Sequence, residues 1–424
     1  MRLCVLGLGR LGLPWALVAD ATGHEVCGLD IDASRVQAIN ERKIHTSEPG
    51  VGQLLCDPRC GLIATTDPAE ALNEAELSIV TVPTPSQPDG SFGLAAILAA
   101  VETIGAHAGR LAPRHVVVLK STVSPGATDG PVRQALEQAS DLAQARAPEL
   151  VHAPEFHAIG SVVHDVTHPY LVIVGGREVS ALSRAEELHS SLAEGAVPVA
   201  RLDATGAELV KLASNCFRTM KIAYANALAE LSVAYGSDPK AVCAAVGADP
   251  HIRSGYLGPG LPYGGPCYPR DNPAMAAAAT AAGIPAILAQ AVDAANERRF
   301  SELERAALDA PPGPIGVVGI SFKEGTDELD GSSALELARR WRSAGREVLV
   351  HDPLVTPDGY ATAPLHKILE TCTTVLVGTA DARLVGELAS ELDHCERQPH
   401  VLDPWGVLDT THQAALNLSG LDHI

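Results

Sequence analysis

Two stretches of the chain bring together residue types that do chemistry. Tyr263-Gly264-Gly265-Pro266-Cys267-Tyr268-Pro269-Arg270-Asp271 packs a thiol, a cation, a carboxylate, two glycines and two prolines into nine positions. A loop so constrained holds its backbone. A cysteine near a cation and a helix end shifts from a thiol pKa of about 8.5 toward thiolate, which attacks carbonyl carbon. Cys267 is therefore the expected nucleophile, whereas Cys4, Cys27, Cys216, Cys243 and Cys372 read as small buried hydrophobes. Lys211 and Asn215, four residues apart in a helical stretch, project from one face. An amine beside an amide can hold a developing alkoxide; a salt-bridged surface lysine is the plainer alternative.

A third group handles phosphate and ribose. Gly7-Leu-Gly9-Arg-Leu-Gly12 falls between an apolar run and a helical pattern, where glycines permit a tight turn and close approach to a pyrophosphate. The helix N-terminus then faces the phosphate charge. Asp30, 18 residues after Gly12, closes the next apolar run and can accept from both ribose hydroxyls. It would repel a 2′-phosphate, which favours NAD over NADP, although the nearby Arg35 blunts that preference. Lys120-Ser121-Thr122 closes another run, and Pro154-Glu155-Phe156 lies in a loop after Leu150 to Ala153. Carboxyl ends of strands are where open α/β sheets bind ligands.

These residues need elements to position them. Strands are predicted at Arg2 to Leu6, Glu25 to Leu29, Leu77 to Val82, His115 to Leu119 and Tyr170 to Val174, with a helix from Leu13 to Ala21. Alternation of strand and helix predicts a parallel, doubly wound sheet. An unbroken helical pattern from about Thr205 to Tyr235 is the expected spine of a helical middle domain. After the proline-rich Asp309 to Pro314, a second series begins with Ile315 to Ile320, Glu347 to His351 and Thr374 to Gly378. The fold expected is α/β, two Rossmann-like domains joined by helices, with domains at 1–200, 201–300 and 310–424.

Composition narrows the function. With 31 basic against 51 acidic residues the net charge is −20, which argues against nucleic acid or an anionic membrane as partner. Nine scattered cysteines without paired CxxC motifs point to neither a disulfide framework nor a zinc ribbon, and no metal is expected. No signal-peptide pattern opens the sequence and no apolar run reaches the roughly 18 residues of a membrane helix. A soluble, cytoplasmic protein is expected.

The ordered motifs Gly7-x-Gly9-x-x-Gly12, Asp30, Val82-Pro83-Thr84-Pro85, Lys120-Ser121-Thr122-Val123, Pro154-Glu155-Phe156, Lys211-x-x-x-Asn215, Gly264-Gly265-x-Cys267, Asp271 and Phe322-Lys323-x-Gly-Thr326-Asp327 resemble those of the UDP-glucose/GDP-mannose dehydrogenase family over nearly the whole chain. The resemblance implies NAD on the first domain, a nucleotide sugar, a homodimer formed through the middle domain, and oxidation of a primary alcohol to a carboxylate in two hydride transfers. By the same resemblance Cys267 is the nucleophile, Lys211 and Asn215 stabilise the oxyanion, Asp271 and Thr122 position a water, and Glu155 is the general base or relays its proton. Cofactor contacts are expected from Gly7, Gly9, Arg10, Leu11, Gly12, Asp30, Arg35, Pro83, Thr84, Ser121 and Thr122. Substrate contacts are expected from Glu155, Phe156, His157, Lys211, Asn215, Arg253, Tyr256, Tyr263, Gly264, Phe322 and Lys323.

Departures from the family pattern concentrate at ligand positions. Its Phe-Leu-x-Glu-Gly reads Phe156-His157-Ala158-Ile159-Gly160, which replaces the second glutamate by Ile159. Arg270 stands for a lysine, His251 for an arginine with Arg253 as its neighbour, and Asp330 for an arginine. Pro266 and Arg270 favour the glucose and mannose branch over the N-acetylhexosamine branch, with UDP-glucose preferred. Alternatives are a GDP-mannose or UDP-N-acetylhexosamine dehydrogenase, an enzyme that stops at the aldehyde, and a silent nucleotide-sugar binding protein.

Overall fold

The computed structural model describes residues 1–408, so the last residues of the expected C-terminal domain, 409–424, lie outside the described part. The chain divides into two compact units, Met1–Ala213 and Ser214–Ile424. The division falls inside the long helix Ala204–Ala234.

The first unit is built on eight strands: β1 (Arg2–Leu6), β2 (Glu25–Leu29), β3 (Ile63–Thr65), β4 (Leu77–Val80), β5 (Val116–Leu119), β6 (Glu149–His152), β7 (Val172–Gly176) and β8 (Val199–Leu202). Their order is β3-β2-β1-β4-β5-β6-β7-β8, which puts the switch in strand order between β1 and β4. The central β4 and β5, Leu-Ser-Ile-Val and Val-Val-Val-Leu, are buried at every position. Such runs belong to strands covered on both faces. One face packs against Trp15, Leu17 and Leu188, and the other against Ile97, Val101 and Leu136.

The sheet is not wholly parallel, as the alternation implied: β6 and β7 pair antiparallel, His152 opposite Gly175. A parallel neighbour requires a crossover that carries the chain back along the sheet, usually on a helix. The connection from β6 instead contains the loop Pro154-Glu155-Phe156 and only a six-residue helix, Val162–Thr167. The chain thus re-enters from the same end. Strand β7 also starts later than Tyr170, whose ring sits edge-on to Phe156 at 5.8 Å and belongs to that loop.

The second unit carries a parallel sheet of β9 (Ile315–Val318), β10 (Val348–His351), β11 (Ala361–Thr362), β12 (Thr374–Val377) and β13 (His400–Leu402), in the order β11-β10-β9-β12-β13. The helix Ile287–Asp309 contributes Phe300, Leu303 and Ala307 to the same core as Ile315, Val317 and Trp341. Middle helices and second sheet therefore close around shared apolar surface. Among the described residues no helix is long and apolar enough to cross a membrane.

Trp341 is fully buried and its indole N–H donates to the Glu304 carbonyl at 3.1 Å. Trp341→Ala is expected to destabilise the second unit by about 3–5 kcal/mol. Denaturant unfolding measures this, and a loss below about 1 kcal/mol would show that the ring does not hold that core.

Candidate active site

At the carboxyl ends of β1 and β2 the turn Gly7 to Gly12 is tight enough that a Cβ on Gly12 would lie 1.9 Å from the Gly7 carbonyl oxygen. Only glycine closes this turn. A Cβ on Gly9 would instead meet nothing within 4 Å, which leaves its backbone open to a pyrophosphate. Arg10 is exposed in the same turn, and Leu11 immediately precedes the helix Gly12–Ala21.

Asp30 is 5% exposed, and its carboxylate accepts from the Leu8 N–H at 2.7 Å and the Asp32 N–H at 2.9 Å. Arg35 donates to the same oxygen as Leu8 at 3.2 Å and lies 3.7 Å from Asp32. A carboxylate has about four acceptor sites, so capacity remains for ribose hydroxyls. Arg35 is already divided between two carboxylates.

Ser121 donates to the Val82 carbonyl at 2.6 Å and so ties the loop after β5 to the loop carrying Pro83 and Thr84. Pro83 is exposed and Thr84 buried, while Ser121 and Thr122 are half-buried. The loop that follows is pinned to the long helix: Glu208 accepts from the backbone N–H groups of Gly126 and Thr128 at 2.5 and 2.7 Å.

Lys120 is 3% exposed at the carboxyl end of β5. Its ammonium pairs with Glu155 Oε1, donates to His189 Nε2 at 2.9 Å, and lies 5.5 Å from the Trp15 ring centroid. The other Glu155 oxygen meets His157 Nδ1 at 2.7 Å. Burial alone would raise the Glu155 carboxyl, but His157 and Lys120 outweigh it and hold the group well below the usual carboxylate range. A carboxylate stabilised by two such partners is a weaker proton acceptor than a free one. Beyond it, the loop is braced by Glu48, which accepts from the N–H groups of Gly160 and Val162, both at 2.6 Å.

Two histidines that no motif indicated complete this cluster. His189 turns Nδ1 to the Ala185 carbonyl at 2.7 Å and offers Nε2 to Lys120. Burial, then Lys120, lowers its pKa to about 3. His152, the last residue of β6, is fully buried with neither ring nitrogen hydrogen-bonded; burial, then Lys120 and Lys211, lowers it likewise to about 3. Lys211 is buried as well, its ammonium 5.3 Å over the Phe156 ring, so the surface salt-bridge alternative does not apply.

In the second unit Cys267 is exposed and immediately precedes the helix Tyr268–Ala281. In the first turn of that helix, Asp271 is buried and accepts from Asn215 Nδ2 at 2.5 Å, while Asn215 Oδ1 accepts from Arg218 at 3.1 Å. Arg218 thereby fixes which end of the amide faces Asp271. Sequence reasoning missed it, although its position three residues after Asn215 was a signal. Cys216 is pushed up to about 12 by burial, then by Asp271 and Asp293, and so is no rival nucleophile.

The loop before Cys267 rests on the Phe322 motif of this chain's C-terminal half. Gly265 has φ +83°, its N–H donates to the Gly331 carbonyl at 2.8 Å, and a Cβ there would lie 2.2 Å from the Phe322 ring. A Cβ on the neighbouring Gly264 would lie 2.3 Å from the Gly331 carbonyl oxygen, and Lys323 follows Phe322 in the chain. Tyr263, among the expected substrate contacts, is buried. Its ring is 5% exposed and its hydroxyl donates to Asp293 at 2.5 Å within the core. Arg253 and Tyr256 are exposed, both with φ +62°, and the Arg218 guanidinium lies 5.5 Å over the Tyr256 ring.

Comparison with known proteins accounts for these features. Models of the UDP-glucose/GDP-mannose dehydrogenase family match in chain order: the NAD binding domain over residues 1–193, the central domain over 205–298 and the UDP binding domain over 316–410. The chain belongs to that family. It is 33% identical over 392 residues to the UDP-glucose 6-dehydrogenase AglM of Haloferax volcanii, covering 91% of this chain and 90% of that protein. A GDP-mannose 6-dehydrogenase of Pseudomonas putida is 29% identical, covering 83% and 81%. The solved structure of a UDP-glucose dehydrogenase from Pyrobaculum islandicum matches with a TM-score of 0.87 at 30% identity, covering 97% and 96%. The protein is accordingly an NAD-dependent oxidoreductase of nucleotide sugars.

Two outcomes follow for the first unit. Steady-state kinetics should show NAD strongly preferred to NADP, with Asp30→Asn narrowing the ratio; equal use of both by the parent would refute the role of Asp30. The depressed pKa values of His152 and His189 mean that unfolding takes up protons below about pH 6.5, so their contribution to stability is present above that pH and declines toward pH 3. Each contributes a slope of up to about 1.4 kcal/mol per pH unit. His189→Asn should flatten the acid slope of unfolding free energy by about one proton, and an unchanged slope would contradict its neutral burial.

Proposed function

We propose that the chain is a UDP-glucose 6-dehydrogenase that oxidises its substrate at carbon six to the uronate. The juxtaposition that carries this reading is Asn215 against buried Asp271, one helical turn from the exposed Cys267. UDP-glucose is preferred to GDP-mannose because the 33% identical relative is named for it, and Pro266 and Arg270 favour the glucose and mannose branch over the N-acetylhexosamine branch.

Two NAD molecules, bound one after the other, would each accept one hydride, the first from the alcohol and the second from the thiohemiacetal. The Cys267 thiolate adds to the aldehyde carbon and gives a tetrahedral thiohemiacetal, which supplies the oxyanion a bare aldehyde lacks. Lys211 and Asn215 donate to that oxygen as its charge develops. The thioester left on Cys267 is then hydrolysed by a water positioned by Asp271 and Thr122. Glu155, paired with Lys120 and 2.7 Å from His157, serves in this reading as the general base or relays the proton of that water.

We also read the protein as a cytoplasmic homodimer. Phe217, Tyr224 and Leu231 recur every seven residues on the long helix and are each more than half exposed, a stripe that a second copy of the same helix can cover.

NADH formation across UDP-glucose, GDP-mannose and UDP-N-acetylhexosamines should be fastest per unit concentration with UDP-glucose, at two NADH per acid formed. A ratio of one with aldehyde as product would identify an enzyme that stops halfway. Cys267→Ser should abolish acid formation while sparing substrate affinity. Acid produced at the parent rate would refute the nucleophile.

A further inference from the structure

Asn215, Arg218 and Lys221 follow one another at intervals of three residues along one side of the long helix Ala204–Ala234. Asn215 holds Asp271, and Lys221 holds the loop that carries Arg253 and Tyr256. We propose that Arg218, between them, is a positioning residue that couples the two, so that the seating of the loop sets how strongly the Asn215 amide donates. The inference rests on the oxyanion role read above for Asn215.

The loop has a conformation that its own residues do not favour. Arg253 and Tyr256 both have φ +62°, in the left-handed region where a residue other than glycine stays only when its surroundings hold it. Those surroundings come largely from the long helix. The Lys221 ammonium donates to the carbonyls of Ile252 and Arg253 at 3.2 and 2.8 Å, and the Arg253 N–H donates to the Asp249 carbonyl at 2.8 Å. Tyr256 is fixed at its ring, 5.5 Å from the Arg218 guanidinium, and at its hydroxyl, which is hydrogen-bonded to that of Tyr268.

Arg218 therefore meets three groups of the site at once. Besides the Tyr256 face, it donates to Asn215 Oδ1 at 3.1 Å and to the hydroxyl of Tyr268, the residue that follows Cys267. A planar guanidinium can stack through its face while donating from its edges, which the compact ammonium of a lysine cannot do.

The consequence falls on the amide. One Nδ2 hydrogen of Asn215 goes to Asp271 at 2.5 Å, which leaves the second for the reacting oxygen. A cation on Oδ1 polarises the amide and makes that remaining hydrogen a stronger donor. Arg218 is half-buried, so water screens its charge only in part. When the loop shifts, the Tyr256 ring carries its stacking partner away and the amide loses its cation.

Two double-mutant cycles on the full chain test this. Each reads kcat from NADH formation with NAD and UDP-glucose, or with GDP-mannose if the parent turns that over faster, and thermal unfolding confirms that every variant is folded at the assay temperature. Arg218→Met should lower kcat about 10–100-fold, as loss of a charge-assisted hydrogen bond to a reacting group does. The losses caused by Asn215→Ala and by Tyr256→Leu should each be at least about fivefold smaller in the Arg218→Met background than in the parent. A residue that only stabilises the fold would leave both cycles multiplicative. Independent effects in either cycle, or Arg218→Met with kcat within about threefold of the parent, would overturn the proposal. Should Arg218→Met not fold, the same cycles on Arg218→Lys decide it, since an ammonium cannot bridge the three partners. Asn215→Ala at the parent kcat would remove the oxyanion reading and this inference with it, whereas a slow Asn215→Ala beside an unaffected Arg218→Met would remove Arg218 alone.

Discussion

Burying an ammonium in a protein interior carries a penalty of several kcal/mol that only close partners offset. Lys120 stands at the carboxyl end of β5 with 3% exposure, and the first unit's reactive groups are arranged around it. Glu155 supplies the opposite charge, His189 an uncharged acceptor and Trp15 a ring face. A desolvated cation over an aromatic face contributes about 2 kcal/mol. With one oxygen paired to Lys120 and the other facing His157, Glu155 is a weaker proton acceptor than a free carboxylate. The same charge, after burial itself, keeps His152 and His189 neutral.

In the second unit the loop before Cys267 is organised by close backbone approach. Gly265 and Gly331 meet with no room for a side chain between them, and the Phe322 ring covers the contact. Gly331 stands one residue after Asp330, where the family's arginine is lost. A Cβ at Gly331 would lie 2.5 Å from the Gly265 carbonyl oxygen, so the loop before Cys267 depends on the absence of a side chain there. On the opposite flank, Arg218, Asn215 and Asp271 form a chain of donors and acceptors that orients the amide. Thiol and amide are thereby placed by rigid elements, as a site requiring fixed geometry needs.

The changes from the family pattern are coupled rather than scattered. Loss of a glutamate at Ile159 coincides with a histidine at His157, and that histidine touches the one carboxylate the loop retains. In the cofactor turn Asp30 and Arg35 likewise meet, as an ion pair.

Local information along the chain was sufficient for the glycine turn, the strands β1 and β2, the long helix and each reactive motif, because each is encoded by spacing within about thirty residues. Strand ends were less legible: Tyr170 has the composition of a strand residue, yet its ring is needed against Phe156. Nothing in the sequence near Lys120 marked His189 as its partner, 69 positions away, and nothing near Glu155 announced that both its oxygens would be occupied. The antiparallel joint at β6 and β7, the withdrawal of Tyr263 into the core and the weak basicity of Glu155 were likewise decided by tertiary packing. Residue type and spacing determine which chemistry is available; which groups remain free to perform it depends on the partners that burial forces each polar atom to find.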